Sequence, residues 1–221
     1  MADVTHHPAL AHQFDDLAQQ SDATTLGMWV FLGTEVLFFG GLFCTYCVYR
    51  TKFPIAFAEA SHALIVWAGT LNTFVLITSS LTMALAVHAA QLGRRRSLML
   101  FLIITMVLGG VFLGVKAFEY RSEYVEQHVP GFGLPFSFDP GQARGAYVFY
   151  SLYFVMTGLH ALHMVIGLGI MSVMLWWVRA GTITEEYHSP IEISGLYWHF
   201  VDIVWIFLFP LLYLIGRHIH G

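Results

Sequence analysis

Of 221 residues, 57% are hydrophobic and 11% charged, and the mean hydropathy is +0.66. Soluble domains carry about 25% charged residues, so this composition excludes a soluble globular domain and points to a membrane protein. A formal net charge of −4, with no extended basic stripe, excludes a nucleic-acid partner.

Residues 1–25 hold no Lys or Arg and no apolar run, so they do not read as a secretory leader, and the first hydrophobic segment is expected to be retained. The stretch is rich in His and Asp (Asp3, His6, His7, His12, Asp15, Asp16, Asp22). It reads as a solvated polar arm, capped into the first helix by Asp22, Thr24 or Thr25. Metal capture is the sharper alternative, but the histidine spacing matches no defined site.

Residues 26–221 read as one transmembrane domain. Its apolar runs, about 26–49, 62–88, 97–115, 146–178 and 195–216, reach or approach the roughly 20 residues that cross a bilayer. The fourth is long enough to tilt or protrude. Lipid offers the backbone no outside partner, so the expected fold class is all-α, a bundle of five transmembrane helices. Between the third and fourth runs, Pro130, Gly131, Gly133, Pro135, Pro140 and Gly141 are turn chemistry within one domain, and no internal repeat is visible.

Orientation follows from the tight loop holding Arg94, Arg95 and Arg96, which favours the cytoplasm. That puts the N-terminus inside and the C-terminus outside, although Arg50, Lys52, Arg121, Arg144 and Arg217 then lie outside.

Ionisable residues inside the spans are where chemistry could reside, since a charge at bilayer centre costs at least ~2.5 to 3.5 kcal/mol. Glu35 lies about 15 Å along its helix from Leu26, near mid-membrane. A proton relay and a structural hydrogen bond both fit it. His160 and His163, at i and i+3, share one helix face and could begin a copper, zinc or haem site. Its nearest further ligands would be His199 and Asp202, again at i and i+3. The favoured alternative is that Asp202 orients His199 and that all four tie helices together by hydrogen bonds.

Other features read as packing. Cys44 and Cys47 form a lone C-x-x-C, with Val48 where haem attachment needs His. Gly110 and Gly114 make a G-x-x-x-G step of close helix contact, and Trp176, Trp177, Trp198 and Trp205 read as interface belts and bundle packing. No phosphate loop, dinucleotide fingerprint or nucleophile elbow is present.

The runs GTEVLFFGGLF from Gly33, LNTFVLITSS from Leu71, KAFEY from Lys116, TGLHALHMVIG from Thr157 and YWHFVDIVWIFLFPLLYL from Tyr197 together resemble subunit III of the haem-copper respiratory oxidases. The resemblance covers all five spans. It implies a non-redox subunit with no catalytic, cofactor or metal residues of its own, haem and copper being held by partner subunits. Its partners would be subunit I, where oxygen is reduced and protons are pumped, the other oxidase subunits, and membrane lipids. The implied role is to stabilise subunit I and support proton uptake and sustained turnover in a bacterial or organellar respiratory membrane. Glu35 then matches the family's carbodiimide-reactive membrane carboxylate. Glu119, His160, His163, His199 and Asp202 match its other intramembrane polar positions, and the family's lack of metal ligands favours hydrogen bonding for the histidines.

One departure concerns length. The cytochrome c oxidase form often has seven helices, the first two walling a cleft that holds phospholipid, and this chain begins where the third would. The missing wall is then to be sought in additional helices on subunit I. Two other classes share parts of the pattern: an accessory subunit of a quinol oxidase or a nitric oxide reductase, and a free-standing proton or ion transporter. No broken helix pair of the transporter kind is seen.

Overall fold

The computed structural model describes residues 11–131, 135–185 and 187–215. Asp3, His6 and His7 of the arm, Gly133 of the turn-rich loop, and Gly216 and Arg217 at the C-terminal end lie outside them. Among the described residues six helices are formed: α1 (Leu17–Lys52), α2 (Pro54–Ala63), α3 (Val66–Gln91), α4 (Arg95–Val125), α5 (Ala143–Ala180) and α6 (Ser189–Tyr213). All but α2 are long and apolar enough to cross a membrane, as expected for a five-span bundle.

The helix ends depart from the expected bounds for identifiable reasons. Helix α1 begins at Leu17, because the Asp16 carboxylate accepts from Gln19 N–H at 2.7 Å and acts as N-cap; Asp22, Thr24 and Thr25 lie inside the helix. Apolar patterning starts only at Leu26, so it misses these polar turns. The second span starts at Val66 rather than at residue 62, since Leu64 and Ile65 leave helical geometry between α2 and α3. Pro54 opens α2 at a position where its missing N–H costs nothing. Helix α4 continues ten residues past 115, to Val125.

Three helices end in the same way. At Gly93, Gly181 and Gln127 the chain turns left-handed (φ 63°, 84° and 59°), and the next N–H reaches back to close the last turn. The bonds are Arg94 to Ala89 O, Thr182 to Trp177 O and His128 to Glu123 O, at 2.9 to 3.0 Å. At Gln127 the turn is made without glycine, at some backbone cost. It folds His128 back over Glu123.

Helix α6 is the centre of the bundle, packing against α1, α2, α3 and α5, while α3 and α4 form the most extensive pair. Helix α1 meets only α2, α5 and α6. It buries a single stripe, Leu32, Phe39 and Tyr46, each seven residues from the next. The buried residues of α4 are Leu98, Leu102, Thr105, Gly109, Phe112, Lys116, Glu119 and Glu123. Their alternating spacing of four and three is the seam of left-handed helix packing, and it carries three ionisable groups inward.

On α4 the close approach lies one residue from the expected glycine step. A Cβ on Gly110 or Gly114 would meet nothing within 4 Å. One on Gly109 would stand 2.9 Å from the Trp198 ring, and one on Gly167 2.8 Å from it. The indole is thus clamped between α4 and α5, its Nε1–H donating to Ser79 Oγ at 3.1 Å. Gly167→Ala is therefore expected to cost about 1–3 kcal/mol by overpacking, while Gly110→Ala should be neutral or mildly stabilising. Equal thermal melting of the two variants in the purified complex would refute this assignment of the contact.

Candidate functional site

Glu35 and His163 form a pair at the centre of α1 and α5. Glu35 Oε2 lies 3.2 Å from His163 Nε2, with side-chain exposures of 19% and 13%. The other ring nitrogen, Nδ1, is 2.8 Å from the Leu159 carbonyl oxygen. Only a protonated nitrogen can bond a carbonyl, so Nδ1 carries a proton and fixes the ring's direction. Phe39 stands edge-on to the imidazole and Tyr197 stacks beside it, its hydroxyl donating to His163 O at 3.0 Å. The pair ties α1 to α5 within the Leu32–Phe39 stripe and is mostly buried, with a small part reaching the outside of the bundle.

The other predicted positions do not converge on this pair. His160 is fully buried between the Phe112 and Trp205 rings, at 5.3 and 5.2 Å between centroids, and neither of its nitrogens has a hydrogen-bond partner. His199 Nδ1 pairs with Ser80 Oγ at 2.7 Å, not with Asp202. Neither Asp202 oxygen makes a well-formed hydrogen bond. The expectation that Asp202 orients His199 is thereby corrected: Ser80, on the facing helix α3, does so, because packing of α3 on α6 brings a hydroxyl closer than the i+3 carboxylate. His160, His163, His199 and Asp202 do not form one ligand set.

Glu119 belongs to a cluster that patterning did not assemble. Its Oε2 accepts from Lys116 Nζ at 2.9 Å and its Oε1 from the Tyr213 hydroxyl at 2.5 Å. The ammonium also donates to Tyr153 at 3.1 Å and to Tyr213 at 3.0 Å, so all three of its protons are used. Four rings surround it: Tyr120, Tyr153, Trp205 and Tyr213, at 4.9 to 5.7 Å. Lys116 is 2% exposed and Glu119 0%. Ending the third span at residue 115 hid this pair, although the K-x-x-E spacing was its signal.

A second missed cluster closes the C-terminal end of α4. His128 Nδ1 lies 2.9 Å from Glu123 Oε2, 3.1 Å from the Tyr150 hydroxyl and 3.6 Å from Glu126 Oε2. Burial lowers the His128 pKa from its ordinary 6.5, and the Glu126 carboxylate opposes that shift. Among the described residues, Glu123, Glu126 and His128 are the one group of three or more His, Cys, Asp or Glu whose ligand atoms lie within 4.8 Å of one another. Cys44 and Cys47 are free and exposed.

The family model for cytochrome c oxidase subunit III matches residues 10–217. Quinol oxidase subunit 3 of Bacillus subtilis (strain 168) is 34% identical over 196 residues, 86% of either chain. Cytochrome c oxidase subunit 3 of Thermostichus vulcanus is 33% identical over 204 residues, 92% of either chain. A probable quinol oxidase subunit 3 of Staphylococcus epidermidis is 31% identical over 219 residues, 96% of this chain and 98% of the relative.

Proposed function

Because this chain belongs to the cytochrome c oxidase subunit III family, we propose that it serves as the non-redox subunit III of a proton-pumping haem-copper terminal oxidase of the cytochrome c type. It stabilises subunit I and supports proton uptake and sustained turnover in aerobic electron transport, while haem and copper reside on the partner subunits. The observation that carries this reading is the family match across all five apolar helices. Support for the proton-linked part comes from the partly exposed Glu35–His163 pair near mid-membrane, a titratable carboxylate and imidazole in contact. The chain sits in a bacterial or organellar respiratory membrane, most simply the cytoplasmic membrane, with its N-terminus inside and the Arg94–Arg96 loop on that same side. Phospholipid is a further partner, and the polar positions Glu35, Glu119, His160, His163, His199 and Asp202 are its proton-related or subunit-contact residues.

The test is purification in mild detergent through an affinity tag on this chain. Co-elution of haem-bearing subunits and oxidation of reduced cytochrome c are expected; a chain eluting alone would favour a transporter. Oxidation of quinol in place of cytochrome c is the second reading, which the Bacillus subtilis relative favours. The subunit separated from that complex is expected to be colourless and metal-free. Stoichiometric copper, zinc or iron retained after chelation would overturn this, and Glu123, Glu126 and His128 are where it should be sought.

A further inference from the structure

The turn that folds His128 back over the end of α4 gathers more acceptors than donors at one point. His128 Nδ1 lies 2.9 Å from Glu123 Oε2 and 3.6 Å from Glu126 Oε2. In the neutral imidazole this nitrogen has at most one proton, so it serves at most one of the two oxygens. Among the described residues no Lys or Arg is ion-paired with either carboxylate, and Lys116, two turns back along α4, is committed to Glu119 and two tyrosines.

The position is also unfavourable for bare carboxylates. A helix C-terminus is the negative end of its dipole and favours cations. Helices α1 and α5 end accordingly on Arg50, Lys52 and Arg179. Helix α4 has no basic residue in its last turn; it carries Glu123 there, with Glu126 as its C-cap. Glu123 is 1% exposed, so solvent screens little of its charge. Charge balance at this helix end asks for a cation from outside the chain.

The spacing fits one. A tetrahedral zinc ion with bonds of about 2.0–2.1 Å holds its ligand atoms about 3.3 Å apart, and the two separations from Nδ1 fall on either side of that value. All three ligand atoms lie within 4.8 Å of one another. A nitrogen donor beside two carboxylates suits zinc better than Mg²⁺ or Ca²⁺, which take oxygen ligands.

We propose that Glu123, Glu126 and His128 form an exchangeable zinc site, with water completing the tetrahedral shell. His128 ligates through Nδ1 as the neutral imidazole, its proton moving to Nε2, and the carboxylates ligate through their Oε2 atoms. Two carboxylates balance the ion's charge, so the loaded site is neutral, and the ion ties the loop after α4 to the helix end. Tyr150 steadies the site from α5, its hydroxyl 3.1 Å from Nδ1 and hydrogen-bonded to Glu123. Glu126 is 52% exposed, which leaves the ion open to chelators, in accord with a subunit that is metal-free after chelation. The site does not depend on the oxidase reading.

The experiment uses whatever complex the tagged chain retrieves, stripped with EDTA and dialysed against radioactive zinc at micromolar concentration. Wild type is expected to bind one equivalent more than the Glu126→Gln/His128→Gln double variant, since zinc held elsewhere on the complex is common to both. Glu126→Gln alone, at a half-exposed position, is expected to weaken that equivalent by at least the roughly 10–100-fold that loss of a supporting group costs. If the double variant does not fold, the single variant decides alone. Equal zinc uptake by wild type and Glu126→Gln overturns the proposal, as does binding seen only at millimolar zinc, or displacement of the ion by equimolar Mg²⁺ or Ca²⁺.

Discussion

Lys116→Ala is expected to destabilise the subunit by roughly 3–5 kcal/mol. The substitution removes the ammonium and leaves Glu119, which has no access to solvent, with the Tyr213 hydroxyl beside it and its charge uncompensated. A buried ion pair is costly to halve and cheap to replace whole. Converting Lys116 and Glu119 to Met and Tyr213 to Phe together should therefore recover much of the loss, since of the cluster's polar groups only the neutral Tyr153 hydroxyl is then left without its partner. The measurement is the thermal midpoint of the subunit in the purified complex. A single Lys116→Ala variant as stable as wild type, or a triple variant worse than the single, would show that the cluster is not held as a unit.

At Glu35 the expected effect falls on function and attachment. Glu35→Gln keeps the length and a hydrogen-bonding group opposite His163 Nε2 but removes the titratable proton. Electron transfer should begin near the wild-type rate, with loss appearing as weaker proton pumping or progressive inactivation during turnover. Glu35→Ala also leaves His163 Nε2 unpaired and opens a gap in the thin seam between α1 and α5, so it should loosen the subunit as well. Proton-to-electron ratios, activity half-life and subunit content separate the cases. If Gln matches wild type in pumping and lifetime while Ala weakens attachment, the carboxylate is structural only. If Gln stops oxygen reduction at once with assembly intact, both roles are wrong.

The spans were legible because desolvating the backbone in lipid leaves one solution, and an apolar run announces it. Helix α2 was not, because Glu59 and His62 interrupt the pattern of Ala56, Phe57, Ala58 and Ala60, although Pro54 marks its start. Residues sharing a face were also readable: the i, i+3 spacing does put Lys116 and Glu119 together. What spacing cannot supply is the partner across the interface. His163 was read with His160 and meets Glu35; His199 was read with Asp202 and meets Ser80. Those pairings depend on which helices pack and at what rotation; where α3 meets α6 the close approach lies at Gly69 and Gly195, not at the glycines at 110 and 114.

The narrow attachment of α1 also has a consequence in time. Helix α1 makes no contact with α3 or α4, which follow it in the chain, so apart from the short α2 its partners are the last two helices to be synthesised. Glu35 and His163 are separated by 128 positions in the chain. At about 5–20 residues per second, Glu35 spends roughly 6 to 26 s in the membrane before the imidazole that pairs with it has been made. A nascent chain stalled short of α5 should therefore expose Glu35 to cross-linking by neighbouring membrane proteins, and the signal should vanish once His163 has been inserted. During that interval the carboxylate that pairs two helices of the finished bundle is an unpaired acid in the unfinished one.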